Sequence, residues 1–410
     1  AMNRGLLPSV QFFTRETKIM SALCLGWGDA HHADDCLDGA LDPGGACPLQ
    51  RDSLFDLASL TKLFTALLVL HLSEEGKVSL TAPVTAYAPQ FTRLGEMTVG
   101  DVLTFRYGLR TPQRIDDQLD REAGLQQLYQ AAPFSVGEGR SYSDMHTMVL
   151  KYVVEGACQS PFFTMLQDCL LRPLGMEHTF AAVPMEWLNN TLHYDGEHRL
   201  ERGVHIHRTG VAPGTPHDPK ARLLSPQGGD LCGHAGLFST LDDLVRLCQH
   251  LLRGDVLSSQ SIAYLVRNRT GRPLPGGGYT QYLGAQVHLR HPVQYHSEVP
   301  PCMGNRAFGL SGFTGNHLSL DMERGIFVIF LGNRVLHRLT TFLPFPGQSL
   351  SDLGLNPDGS GMARLPGGVV VPSSVDWVHQ KDQRLHEPIR QALGVPLVPY
   401  ASPVETEEQA

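Results

Sequence analysis

Apolar residues recur around a helix from Leu57 to Leu72, almost without a polar break, which predicts a buried helix over 59–76 that stops at Gly76. Ahead of it, Val10-Gln11-Phe12-Phe13 and Ile19 to Cys24 read as two strands joined by the polar turn Arg15-Glu16-Thr17. From 76 to about 225 the spacing is mainly helical, punctuated by Pro83, Pro89, Pro133, Pro161 and Pro173. Leu192 to Leu223 is polar and rich in His, Gly and Pro, so it reads as loop. Leu241 to Leu252 is amphipathic, with a stop at Gly254.

Strand signals return at Gln281 to His288, Arg306 to Leu310, His317 to Leu320 and Ile326 to Leu331. The last is almost wholly apolar, which fits a central strand covered on both faces. Leu336 to Ser374 breaks the pattern with Pro and Gly. Trp377, Val378, Lys381, Leu385, Ile389 and Leu393 then fit a closing helix kinked at Pro388. Strands, a long helical section, strands again and a last helix imply an α+β chain: one antiparallel sheet built from both ends of the sequence, flanked by helices, with a mostly helical domain inserted. The expected division is 1–75 with 225–410 for the sheet domain, 338–374 being an insertion, and 76–224 for the helical domain.

Composition narrows the function classes. With 410 residues, 42% of them hydrophobic and 18% charged, the chain can bury a large core. Its formal net charge of -8 is spread without a Lys/Arg stripe, which argues against nucleic acid as a partner. No apolar run approaches the roughly 18 residues a membrane helix needs, so no membrane partner is expected. The end, Glu405 to Ala410, reads as a solvated acidic tail. No charged segment followed by an apolar stretch opens the chain, so no signal peptide is predicted and a cytoplasmic location is expected. Should Ala1-Met2 mark a trimmed start, a lost export signal would make the location periplasmic or secreted. The eight cysteines form no C-x-x-C pair, and several sit in apolar segments typical of buried thiols, in keeping with a reducing compartment. His31-His32-Ala33-Asp34-Asp35 offers metal-ligating side chains but lies between strand-like segments, as an exposed turn does.

The candidate chemistry begins at Ser59-Leu60-Thr61-Lys62. A serine in the first turn of a helix and a lysine one turn on share a face. The helix N-terminus favours developing negative charge, and an amine beside a hydroxyl can activate it as a nucleophile. The same spacing also describes a capping serine followed by an exposed lysine. Ser141-Tyr142-Ser143-Asp144 follows the glycine-rich Val136-Gly137-Glu138-Gly139-Arg140, where a tyrosine hydroxyl can reach a cleft and shuttle a proton. Gly309-Leu310-Ser311-Gly312-Phe313-Thr314-Gly315 joins two strand signals. Its glycines would let a substrate lie along a strand edge and leave backbone N–H groups for an oxyanion. His234, in Gly233-His234-Ala235-Gly236, reads as a structural histidine bonded to a loop more readily than as a cleft residue.

Taken in order, Ser59-x-x-Lys62, Tyr142-Ser143-Asp144 and Leu310-Ser311-Gly312 make the chain resemble the serine β-lactamase-like superfamily of class C β-lactamases, penicillin-binding-protein-like hydrolases and esterases. Gly233 to Thr240, Val102 to Leu109 and Leu331-Gly332-Asn333-Arg334-Val335 resemble further segments of that family. The resemblance implies catalytic Ser59, Lys62 and Tyr142, and an oxyanion hole from the N–H groups of Ser59 and Phe313. It further implies substrate contacts from Asp144, Leu310, Ser311 and Gly312, with no metal and no cofactor. The implied reaction is acyl transfer through an acyl-enzyme, with hydrolysis of an ester or small amide ranked first. A peptidase, amidase or acyltransferase acting on a modified peptide or natural product comes second. A non-catalytic homologue that binds a ligand in the old cleft is the alternative of another class. A small-molecule or peptide-like substrate is expected, and the oligomeric state is open.

Departures from the family pattern set two further expectations. Leu310 stands where the family carries Lys, His or Trp, and Asp144 where it usually has Asn, so the cleft is expected to favour neutral or cationic substrates. The family's N-terminal helix is expected to be missing.

Overall fold

The computed structural model describes residues 3–135, 142–225, 230–294, 297–343, 345 and 347–400. The glycine-rich stretch 136–140, Ser141 and the acidic tail lie outside them. The chain opens with α1 (Asn3–Gln11), and Phe12–Glu16 continues as one wider helical turn. This corrects two expectations: Val10 to Phe13 is helical, and the N-terminal helix is present. Leu6, Val10 and Phe13, spaced four and three apart, are buried against Trp377, Leu385 and Ile389 of the closing helices. Three apolar residues in four positions cannot distinguish the two periods, but the longer window does.

The first half continues through β1 (Ala22–Asp29), β2 (Ala33–Gly39), β3 (Phe55–Asp56), α2 (Thr61–Glu74), α3 (Val99–Leu103), β4 (Gly108–Arg110), α4 (Arg121–Tyr129), β5 (Ala132–Phe134), α5 (Asp144–Cys158) and α6 (Phe162–Leu166). Then come β6 (Glu197–Glu201), β7 (Val204–Arg208), α7 (Pro219–Leu224), β8 (Phe238–Ser239), α8 (Leu241–Arg253) and α9 (Ser259–Leu265). The last part holds β9 (His288–Leu289), β10 (Ala307–Ser311), β11 (His317–Asp321), β12 (Ile326–Gly332), β13 (Leu339–Leu343), β14 (Met362–Arg364), β15 (Val370–Pro372), α10 (Val375–Lys381) and α11 (Glu387–Leu393).

The main sheet runs β2-β1-β12-β11-β10-β9, antiparallel throughout, and β1 pairs with β12 over Leu23↔Gly332 to Asp29↔Ile326, so the two ends of the sequence meet as expected. Alternation explains why β12 is apolar throughout. Phe327, Ile329 and Leu331 face the core shared with α2, α5 and α8, while Ile326, Val328 and Phe330 face α1 and the closing helices. The first of these cores is continuous from the sheet into the helical section. In the closing segment a wide turn, Asp382–His386, precedes Pro388 in the first turn of α11. Pro388 has no N–H to give the carbonyl four residues back, and the widened turn accommodates that.

Two loop and strand expectations are corrected. Leu192 to Leu223 holds the β6–β7 hairpin and α7, where Asp218 caps the helix through the Ala221 N–H at 2.9 Å and Pro219 opens it. Gln281 to His288 is mostly loop and enters the sheet only at His288–Leu289. In the expected insertion, β13 pairs in parallel with β6 to give a sheet β13-β6-β7. Leu339, Leu353, Leu355, Ala363 and Leu365 form a small core of their own there, with Leu200.

Ala30 to His32 form the β1–β2 turn, with both His31 and His32 exposed. The eight cysteines are unpaired, and Cys24, Cys36, Cys232, Cys248 and Cys302 are buried. Among the described residues, no helix is long and apolar enough to cross a membrane.

Candidate active site

The segment leading into α2 sets the position of Ser59. Ala58 takes a left-handed φ of 46°, an uncommon state for a residue with a Cβ, and the turn of helix begins there. Buried Asp56 holds this bend. Its carboxylate accepts the N–H of Ala58 at 2.9 Å and of His217 at 2.6 Å, and its carbonyl accepts Thr314 Oγ1 at 2.9 Å and Asn316 Nδ2 at 2.6 Å. One aspartate thus ties the approach to Ser59 to the turn after β10. Gly312 permits the close approach, since a Cβ there would fall 2.6 Å from the Leu57 carbonyl.

Lys62 is wholly buried, and its ammonium donates to Ser59 Oγ at 2.7 Å and to the His234 carbonyl at 3.3 Å. It lies 5.0 Å from the centre of the Tyr142 ring and hydrogen-bonds that side chain. It also pairs with Asp144 Oδ1 at 2.8 Å. Burial alone would lower the lysine's pKa, but the Asp144 carboxylate and Tyr142 outweigh it and hold the pKa raised. Asp144 Oδ2 meets Lys220 at 3.1 Å, Lys220 meets Asp218 at 3.2 Å, and Asp218 meets His234 Nε2 at 2.9 Å. Burial pushes Asp144 up and the two lysines pull it further down, so its carboxyl stays ionised. Asp144, Asp218 and His234 bring ligand atoms within 4.8 Å of one another, but the ammonium groups of Lys62 and Lys220 already sit on those carboxylates.

The Tyr142 ring packs at a tilt against Phe105, at 5.5 Å, and His288, at 5.1 Å. Ser59 and Tyr142 border a cavity of about 720 Å³ with Ser311, Gly312, Phe313, Glu298, Arg334 and Lys381. They also border a smaller one of about 240 Å³ with Phe313, Asp144, Lys220, Arg199 and Arg208. Ser311 Oγ donates to Glu298 at 2.5 Å and lies 2.9 Å from His317 Nδ1, and Glu298 pairs with Lys381 at 3.3 Å.

The structure therefore brings together Ser59, Lys62, Tyr142, Asp144, Ser311, Gly312 and Phe313. It does not bring Leu310, whose side chain is fully buried in the core, opposite Leu318 in the sheet register. Alternation along β10 turns Ser311, not Leu310, to the cleft. Asp144 carries two ammonium partners, so the repulsion expected of a bare carboxylate is offset. His234 is buried and bonded to Asp218, and lends the site its carbonyl.

Sequence reasoning missed Lys220, Asp56 and Arg334. The Asp218-Pro219 helix start was a readable pointer to Lys220. Arg334 donates from Nε to the Phe313 carbonyl at 2.8 Å and lies 5.2 Å from the centre of the Phe313 ring. Burial pulls its pKa down to about 10.

Residues 22–338 match the family described as Beta-lactamase. A protein of Salmonella agona (strain SL483), whose name proposes that it is a D-alanyl-D-alanine carboxypeptidase, is 24% identical over 317 residues, 69% of this chain and 70% of that protein. Among solved structures, EstCE1, a hydrolase with promiscuous acyltransferase activity, superposes with a TM-score of 0.63 at 18% identity, covering 83% of this chain and 94% of its own. The D-amino acid amidase of Ochrobactrum anthropi SV3 superposes with a TM-score of 0.61 at 16% identity, covering 96% and 99%. The chain belongs to the beta-lactamase family, whose general chemistry is that of serine hydrolases.

Proposed function

We propose that this protein is a serine hydrolase that opens an ester or small amide through an acyl-enzyme on Ser59. The observation that carries the reading is the buried Lys62 ammonium 2.7 Å from Ser59 Oγ. Asp144 keeps that lysine charged, so Lys62 serves as a fixed positive charge and not as the proton acceptor. The acceptor is Tyr142 acting as the phenolate, whose negative charge the neighbouring ammonium offsets until the proton arrives.

In the first half-reaction Ser59 Oγ bonds to the substrate carbonyl carbon, and its proton passes to Tyr142. The N–H groups of Ser59 and Phe313 hold the carbonyl oxygen as it becomes negative. The bond to the leaving group breaks and Tyr142 returns the proton to it. In the second, water attacks the acyl carbon, gives a proton to Tyr142, and Ser59 leaves with that proton restored. Esters and small amides are the substrates, in keeping with the hydrolase and amidase named among the structural relatives.

A fluorophosphonate probe and p-nitrophenyl butyrate test this reading. The wild type should label on Ser59 and turn the ester over. Ser59→Ala should lose labelling and at least roughly 10³-fold in kcat/KM. A wild-type protein that neither labels nor hydrolyses supports the ligand-binding alternative.

A further inference from the structure

The smaller cavity beside Ser59 has a wall made by the β13-β6-β7 sheet. Pairing of β6 with β7 puts Glu197, Arg199 and Arg208 on one face and His198, Leu200, His205 and His207 on the other. Leu200 packs into the small core of residues 339–371. Arg199 and Arg208 line the cavity together with Arg114 and Lys220, and Ser59 and Phe313 belong to the same lining.

The wall is wired to the site. Thr340 of β13 donates its hydroxyl to Glu197. Glu197 pairs with His217 at 3.3 Å, and the His217 ring stacks on Phe313 at 5.8 Å. The segment that follows the family match at 338 thus supports the element that borders the nucleophile.

The guanidinium groups are anchored from behind and keep donors in hand. Arg114 pairs with Asp116 at 2.7 Å, Glu201 at 3.3 Å and Asp117 at 3.6 Å, and Arg199 with Glu201 at 2.7 Å. Arg208 meets Glu197 only at 3.5 Å and Asp116 at 3.9 Å. Arg199 Nε is buried and has no hydrogen-bond partner among the described residues. A buried donor left unmade is costly unless something supplies an acceptor. Burial, then the neighbouring Arg208, lowers the pKa of Arg199, as expected where like charges crowd. Arg208, held only at 3.5 and 3.9 Å, and Arg199, with its Nε unmatched, are the guanidinium groups of this cavity that keep hydrogen-bonding capacity for an anion.

We propose that Arg199 and Arg208 form a subsite for a carboxylate carried by the substrate, close to the carbonyl that Ser59 attacks. This rests on the reading of Ser59 as nucleophile. A guanidinium fork matches a carboxylate in two parallel hydrogen bonds.

Three esters test it: p-nitrophenyl hydrogen glutarate with its carboxylate on the acyl side, 4-carboxyphenyl butyrate with its carboxylate on the leaving group, and neutral p-nitrophenyl butyrate. Each is measured with the wild type, Arg199→Gln, Arg208→Gln and Arg208→Lys. For one of the two anionic esters, either Gln variant should lower kcat/KM roughly tenfold or more relative to the neutral ester, mainly through KM. Arg208→Lys should restore part of it, and the wild-type advantage should shrink as salt rises. Gln variants that lower all three esters alike, or none, overturn the subsite. Fluorophosphonate labelling of Ser59 in the same preparations separates the two readings. Labelling without an anion effect removes the subsite alone, and no labelling of the wild type removes both.

Discussion

The Lys62 ammonium and the Asp144 carboxylate stand 2.8 Å apart, so the lysine next to the nucleophile carries its own counter-charge. Asp144→Asn removes that charge and lets the raised Lys62 pKa fall. If the ammonium is the working form, the alkaline limb of the kcat/KM profile should move to lower pH by about one unit or more. A neutral-amine mechanism requires the opposite: more activity near neutral pH in the variant. Asp144 is also held below its ordinary pKa of about 4, so its pairing stabilises the fold above that pH and the contribution fades as pH falls further. Acid unfolding of the two proteins should therefore converge at low pH.

Lys62 and Tyr142 are expected to act as one unit. Lys62→Ala and Tyr142→Phe should each cost much of the esterase activity, on the order of 10²-fold or more. The double variant should lose far less than the product of the single losses. Strict multiplicativity in the three rate measurements would count against the two groups acting together.

Leu310 now carries a different expectation from the one its alignment with Lys or His suggested. Its side chain is fully buried among apolar residues, so Leu310→Lys places an ammonium in the core with no counter-charge assigned to it. That costs on the order of several kcal/mol. Thermal unfolding should drop sharply, and activity should fall alike toward anionic and neutral esters. A stable variant with a selective gain for anionic esters would restore Leu310 to the cleft.

What the sequence made legible was local. The 59–76 helix, the stop at Gly254 and the apolar β12 all announce themselves within one window, because period and capping are properties of neighbours. The order of the elements was enough to predict one antiparallel sheet closed by both ends of the chain. The misses required longer-range information. The helix over Asn3–Gln11 owes its stability to Trp377, Leu385 and Ile389, far along the chain. The β6–β7 hairpin carries Glu197, Arg199, Glu201 and Arg208 on its cavity face, with only Val204 and Ile206 apolar among them, and finds its third strand in β13, so no local apolar run betrays it. At Leu310 a motif position was legible but its facing was not, since one residue of register decides between core and cleft. Arg334 lay in plain sight in Leu331-Gly332-Asn333-Arg334-Val335, yet its contact with Phe313 exists only once β12 lies beside the turn after β10.

That contact gives the last prediction. Arg334 Nε holds the carbonyl of Phe313 at 2.8 Å, and the same residue's N–H is the proposed second oxyanion donor. Anchoring the Phe313 carbonyl restrains the backbone of the residue whose N–H is the proposed donor, so Arg334 acts as a positioning residue for the oxyanion hole. Arg334→Ala should release the Phe313 turn and weaken transition-state stabilisation more than ground-state binding. Removing an oxyanion donor outright costs roughly 10²–10³-fold in kcat, so loosening one should cost about tenfold or more with KM little changed. A boronic acid that mimics the tetrahedral intermediate should lose affinity in parallel, and Arg334→Lys should recover part of both losses. If Arg334→Ala raises KM and leaves kcat and boronate affinity intact, Arg334 contacts the substrate directly and does not position Phe313.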